Sequence, residues 1–343
     1  MQDLRRDERL DQLRNWVREE TGWGEFGLAP ASEDASFRRY FRVTPPGESF
    51  IVMDAPPDQE NVEPYLEIAR MLEQAGLHAP RVIARDAARG FLLLTDLGAT
   101  TYLAQLDKPA RAEALYADAM DALVRLQSRG QSMALELPPY DEKLLRFEMS
   151  LFTDGLLSRH LGLELSPAET AQLQAVLDRL VENALEQPRV FVHRDYHSRN
   201  LMVCEQNNPG VLDFQDAGYG PLTYDLVSLL RDCYVVWPTE QVDAWALAFR
   251  GKAAAAGLDV GGGATQFLRW FDLMGVQRHL KASGIFARLW HRDGKPGYLA
   301  DVPRTLDYIL LASARQPVLD DLARLIRERV LPSLRLQAEA SDS

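Results

Sequence analysis

Phe191-Val192-His193-Arg194-Asp195-Tyr196-His197-Ser198-Arg199-Asn200-Leu201-Met202-Val203, followed by Val211-Leu212-Asp213-Phe214-Gln215-Asp216, is the stretch that decides how this chain is read. Short apolar runs flank its polar residues and read as buried strands, so a hairpin carries Asp195, Asn200 and Asp213 to one end of a small sheet. The residue types suit one chemistry. A carboxylate can orient a hydroxyl and accept its proton, the part given to Asp195. An amide oxygen and a second carboxylate, from Asn200 and Asp213, can hold Mg²⁺ against phosphates, because an ion shared with phosphates needs few protein ligands. The other reading is a polar hairpin in an ordinary α/β domain.

The run His193-Arg194-Asp195 with Asn200, then Asp213-Phe214-Gln215, resembles the catalytic loop and metal-binding Asp-Phe-Gly element of the protein-kinase-like fold. His197 after the Asp, and Gln215-Asp216 in place of glycine, are similar to the aminoglycoside and choline phosphotransferase branch, which phosphorylates small molecules. The resemblance implies an α+β, bilobal, protein-kinase-like fold. Residues 1–98 would be a small N-terminal nucleotide-binding lobe with a five-stranded antiparallel sheet. Residues 99–343 would be a larger, mainly helical lobe with the catalytic loop, metal site and acceptor pocket. ATP and Mg²⁺ are the implied cofactors.

Composition narrows the partners. The 343 residues are enough for two lobes with real cores. With 38 Lys+Arg against 50 Asp+Glu, a net charge of −12 argues against a nucleic-acid footprint or an anionic-membrane anchor and for small-molecule partners. The two cysteines, Cys204 and Cys233, are too few for a disulfide framework and read as buried thiols. The charged first residues do not form a secretory signal, and no run is long enough to span a bilayer. A cytoplasmic, bacterial-type enzyme is expected.

In the first lobe, Leu10, Leu13, Trp16 and Val17 recur at helical spacing up to a stop near Gly22. Strands are expected over 37–43, 50–53, 80–84 and 91–94, and a helix over 62–76 ending at Gly76. The stretch from Ala31 to Ser36 falls where a kinase-like fold places its phosphate-covering loop. It has no glycine, but Ser36 could donate to a phosphate.

The lysine that kinases carry on the third strand is absent from Ile51-Val52-Met53-Asp54, and the first lysine of the chain is Lys108. Either the protein is a non-catalytic relative, or an arginine supplies the charge. Alternation along the strand puts Arg38, Tyr40 and Arg42 on one face and Phe37, Arg39 and Phe41 on the other. Arg38, Arg39 and Tyr40 join Ser36 as the expected phosphate-side residues. Glu63 or Glu67 would have paired with the missing lysine. Thr95, Asp96 and Leu97 form the expected hinge, where backbone meets adenine.

The second lobe reads as helices over 109–129, 141–161, 167–186, 221–236, 240–256, 264–289, 302–314 and 318–331, with residues 338–343 frayed. Asp225 either braces the catalytic loop or caps a helix. Asp216 binds a second metal, contacts substrate or braces the loop. His197 reads as a strut near the substrate, with Asp195 already supplying the base. Trp237, Trp270 and Trp290 are core residues or sugar platforms.

Arg231 and Arg278 fit a neutral or anionic acceptor, whereas a cationic one needs carboxylates or an aromatic cage. Ser36-Phe37-Arg38-Arg39-Tyr40-Phe41, Ile51-Val52-Met53-Asp54-Ala55-Pro56, the catalytic loop and Gly275-Val276-Gln277-Arg278-His279-Leu280-Lys281 together resemble bacterial cell-wall amino-sugar kinases. These phosphorylate the anomeric hydroxyl of N-acetylmuramate and N-acetylglucosamine in peptidoglycan recycling. The resemblance implies Arg231 and Arg278 as receptors for the lactyl carboxylate. A kinase for another small alcohol, such as an aminoglycoside or choline, and a pseudokinase interaction module are the alternatives.

Overall fold

The computed structural model describes residues 8–32, 37–294 and 296–341; Ser36 lies outside them. The chain separates into two compact units. One comprises residues up to Thr100 together with Leu201–Asp216, the other Thr101–Asn200 and the chain from Ala217 onward. A single cut at residue 98 thus does not describe the division, because 201–216 clusters with the first unit.

That unit begins with α1 (Glu8–Thr21), which the left-handed Gly22 ends. Next come β1 (Gly27–Ser32), β2 (Arg39–Thr44), β3 (Phe50–Asp54), α2 (Glu63–Ala75), β4 (Val82–Asp86) and β5 (Phe91–Thr95). The five strands form one sheet in the order β1-β2-β3-β5-β4, every pair antiparallel. Leu10, Leu13, Trp16 and Val17 of α1 form one core with Phe41, Val43, Val52, Phe91 and Leu93 of the sheet. Each such side chain contributes roughly 1.5–3 kcal/mol when fully buried. The edge strand β1 is absent from the sequence reading because Gly27 and Pro30 argue against a strand, yet an edge tolerates a residue without an N–H. Gly76 caps α2 at φ 80, as its position predicts.

The second unit carries α3 (Pro109–Arg129), α4 (Gln131–Ala134), α5 (Glu142–Ser150) and α6 (Pro167–Leu185) before the catalytic stretch. From Leu151 to His160 the helix after α5 widens to π. There Gly155 meets the backbone of Gly284, and a Cβ at Gly284 would fall 2.2 Å from the Leu151 carbonyl, so two helices cross almost backbone to backbone.

The catalytic stretch forms two ribbons, not the single expected hairpin. β6 (Arg189–Val192) pairs with β9 (Gly218–Pro221) in the second unit. β7 (Leu201–Met202) pairs with β8 (Gly210–Val211) in the first, where Val203 N–H donates to Thr100 O (2.8 Å) and Val211 N–H to His78 O (2.8 Å).

Downstream lie α7 (Tyr224–Leu230), α8 (Thr239–Ala255), α9 (Ala264–Asp293), α10 (Val302–Ser313), α11 (Asp320–Leu325), a π segment (Ile326–Val330) and α12 (Leu331–Ser341). The helix expected over 221–236 is therefore short, and the tail expected to fray is helical to Ser341. The fold is α+β, a five-stranded antiparallel sheet followed by a mostly helical remainder. Among the described residues no helix is long and apolar enough to cross a membrane.

Candidate active site

In the second unit Asp195 follows β6 in a loop whose shape is imposed from outside. Arg194 takes φ 79, a left-handed value that costs a non-glycine residue of order 1–3 kcal/mol. Asp225, fully buried at the start of α7, compensates by accepting the His193 N–H at 2.6 Å and the Arg194 N–H at 2.9 Å. Its carboxylate thus braces the loop and does not cap its own helix. Burial pushes that carboxyl up to about 7, against the pull of the two N–H groups.

A second tie is made by Asp232, which accepts the Ser198 N–H (2.9 Å), the Ser198 hydroxyl and the Tyr234 N–H (3.1 Å). These bonds turn the chain out of helix after Arg231, the reason α7 stops early. Within the loop the His197 N–H donates to Asp195 O (3.0 Å), the Asn200 N–H to His197 O (2.9 Å) and the Asn200 amide nitrogen to Asp195 O (3.0 Å). With its nitrogen so used, the Asn200 amide presents oxygen as its metal-suited atom.

A buried ionic cluster sets the charge of Asp195. Glu148, on the apolar face of α5, accepts from Arg194 Nη2 (2.8 Å), Gln277 (3.1 Å) and the Tyr140 hydroxyl, and pairs with Lys281 Nζ (2.8 Å). Lys281 and Arg278 also donate to the Tyr224 hydroxyl, at 3.1 and 3.4 Å. Burial alone would raise the Asp195 carboxyl, but the charges of Lys281 and Arg278 outweigh it and bring the group down to about 2. Asp195 is therefore ionised at neutral pH, as a proton acceptor must be. His197 is lowered, chiefly by burial, so its imidazole is neutral there. It struts the loop through its backbone, while its ring meets Tyr234 edge-on at 5.8 Å.

The two arginines expected to receive a substrate carboxylate are enclosed. Arg231, 5 % exposed, pairs with Asp272 at 2.6 Å, and Arg278, 8 % exposed, donates to Arg194 O at 3.1 Å. Trp270 is core, its indole donating to Glu186 at 2.5 Å, and Trp237 donates to the Tyr116 hydroxyl at 2.9 Å. Trp290 is 38 % exposed.

In the first unit Asp213 also adopts a left-handed backbone, φ 59, and its Oδ1 accepts from Gln215 Nε2 at 2.8 Å. Phe214 is fully buried against Tyr65 of α2, centroids 4.7 Å apart, and Asp216 is exposed. The expected phosphate-side arginines separate by partner. Arg39 holds the buried Asp54 (2.9 and 2.5 Å) together with Arg9 (2.6 Å), which makes it structural. Arg42 clamps Asp96 (2.6 and 3.2 Å) and Gly98 O (2.9 Å). Arg38 pairs with Glu60 at 3.2 Å. Tyr40 interacts with Arg38, and both act on Tyr65, so a chain of neighbours runs from Arg38 to Phe214 beside Asp213.

At the expected adenine segment, Thr95 N–H donates to Arg81 O (3.0 Å), and its hydroxyl accepts the Arg81 N–H (2.9 Å). Leu97 O faces the Cys204 thiol at 3.7 Å. The Asp96 side chain is taken by Arg42 and the Gly98 N–H.

Asn200 in the second unit and Asp213 in the first each carry a side-chain oxygen of the hard type that Mg²⁺ takes when phosphates supply most of its ligands. No group of three or more His, Cys, Asp or Glu that could hold a metal occurs among the described residues.

The sequence profile of the phosphotransferase enzyme family matches residues 27–263. An N-acetylmuramate/N-acetylglucosamine kinase of Pseudomonas aeruginosa is 50% identical over 330 residues, 93% of this chain and 96% of that protein. Its namesake from Pseudomonas putida is 49% identical over 332 residues, 94% of this chain and 97% of that one. Among solved structures, the choline kinase LicA from Streptococcus pneumoniae superposes with a TM-score of 0.61 at 10% identity, over 88% of this chain and 99% of that one.

Proposed function

The chain belongs to the phosphotransferase enzyme family, and from that premise we propose that it transfers the γ-phosphoryl group of ATP to the anomeric hydroxyl of N-acetylmuramate and N-acetylglucosamine. The product is the sugar 1-phosphate, and the setting is cytoplasmic peptidoglycan recycling. The observation that carries this reading is 50% identity, across 93% of the chain, to a kinase named for these two sugars.

Asp195 supports it chemically. Its carboxylate, kept ionised by Lys281 and Arg278, orients the C1 hydroxyl and takes its proton as the acceptor oxygen bonds to the γ-phosphorus. The bond from that phosphorus to the bridging oxygen breaks, and ADP leaves. Asn200 and Asp213 would hold Mg²⁺, which when bound offsets charge on the phosphate oxygens. His197 and Asp216 border the acceptor, and the backbone of Asp96 and Leu97 meets adenine.

Arg38 takes the part of the missing lysine. Its pairing with Glu60 supports this reading, since kinases position phosphates with a cation paired to a carboxylate, and its chain of neighbours leads to Phe214. Replacing Arg38 by Ala is expected to raise KM for ATP about 10- to 100-fold, the worth of one or two charge-assisted hydrogen bonds. Replacing Arg39 instead strips Asp54 of one of two cations, lowering Tm while KM for ATP stays within about threefold of wild type. ATP titrations and melts of the two variants separate these roles.

The acceptor is tested by Mg²⁺-dependent ADP release with N-acetylmuramate, N-acetylglucosamine, glucose, choline and kanamycin, and by proton-coupled phosphorus NMR of the product. Turnover of the two N-acetyl sugars, with phosphorus coupled to the anomeric proton, is expected. Turnover confined to choline or kanamycin would overturn the acceptor assignment.

A further inference from the structure

With Arg231 and Arg278 enclosed, the carboxylate of an acidic amino sugar needs another receptor, and the catalytic loop carries one. Arg199 stands between Ser198 and Asn200 and is exposed. Among the described residues it forms no ion pair, in a chain whose net charge is −12. Its guanidinium lies 3.6 Å from the ring centroid of Tyr234 and 5.9 Å from that of Tyr298, which stacks on Phe286 at 5.7 Å.

A ring face holds a guanidinium in place without neutralising it, and the N–H groups along the guanidinium edge stay available for a forked bond to a carboxylate. The platform is also fixed relative to the loop. Asp232 accepts from both Ser198 and Tyr234, and His197 meets the Tyr234 ring edge-on, centroids 5.8 Å apart.

We propose that Arg199, seated on Tyr234, is the specificity residue that receives the carboxylate of an acidic amino-sugar acceptor, the lactyl group of N-acetylmuramate on the function proposed above. The arrangement accounts for acceptance of both sugars. A buried, unpaired arginine would penalise a neutral acceptor, since its desolvated charge would have no partner. An exposed one returns to water when N-acetylglucosamine binds, so the anion is favoured and the neutral sugar is tolerated.

The test is a cycle in which one partner is the substrate. Initial rates are measured with N-acetylmuramate, its lactyl methyl ester and N-acetylglucosamine, on wild type, Arg199→Ala and Arg199→Lys. In Arg199→Ala, kcat/KM for N-acetylmuramate relative to N-acetylglucosamine is expected to fall about 10- to 100-fold, mostly through KM, with Arg199→Lys in between. The ester should lose as much as the acid does in Arg199→Ala, and adding the mutation to the ester should cost little more.

Additive losses from ester and mutation would overturn the proposal, as would equal losses for the two sugars or a rise in KM for ATP instead. Failure of wild type to turn over either sugar would defeat the underlying function and this inference with it. Turnover of both with an unmoved ratio in Arg199→Ala defeats this inference alone.

Discussion

Asp195→Asn is expected to lower kcat about 10²- to 10⁴-fold with KM for ATP within about threefold of wild type, since a positioned proton acceptor is worth that much. The substitution keeps size and shape and removes only the charge that, on the proposed function, takes the hydroxyl proton. It also has a structural consequence. The Asp195 carboxylate is a counter-charge to buried Lys281 and Arg278, so the variant leaves both less compensated and melts lower.

The pH dependence of that stability loss follows from the sign of the shift. Asp195 is depressed from its ordinary 3.8 to about 2. Its contribution is complete above the unfolded value and lost only as pH falls through the folded one. The part of the Tm difference between wild type and Asp195→Asn that comes from ionisation of Asp195 should therefore shrink as pH falls from about 4 toward 2. Steady-state kinetics and melts across that range check both halves. Wild-type kcat in Asp195→Asn would remove Asp195 from the mechanism.

The elements legible in the sequence are those written in local terms. The helix over 109–129 begins and ends at the predicted residues because Pro109 and Gly130 punctuate it, and residue type and spacing single out Asp195, Asn200 and Asp213 as candidates for the proposed base and metal ligands. The illegible parts depend on distant partners. Gly218-Tyr219-Gly220-Pro221 carries no strand pattern, and Pro221 is the expected start of a helix, yet the segment is the strand that β6 pairs with. Arg231 looks like a ligand for an anion until Asp272, far along the chain, is seen beside it. Glu148 carried a usable signal, an acidic residue on the apolar face shared with Leu145 and Met149. Arg199 carried none, because an exposed cation in a loop becomes informative only when its ring platform and its lack of a carboxylate are known.

Asp225→Ala should cost both activity and fold, and the pairing of the two losses distinguishes a positioning residue from Asp195. Removing the carboxylate strands two N–H groups, His193 fully buried, each worth about 1–3 kcal/mol when unsatisfied. The same bonds hold Arg194 at φ 79, so their loss lets that residue relax toward the ordinary helical or extended regions. Asp195 is the next residue and moves with it, and a misplacement of about 1 Å costs of order 10²-fold in rate. The expected result is kcat lower by about 10²- to 10³-fold together with a Tm several degrees below wild type. Asp225→Asn, which keeps one oxygen acceptor, should fall between wild type and Asp225→Ala on both scales. Hydrogen exchange at the His193 and Arg194 amides gives the independent reading: both should lose protection in Asp225→Ala, whereas in Asp195→Asn they should stay protected while activity is gone. Unchanged protection with lost activity would mean that Asp225 acts on the reaction directly and not through the loop.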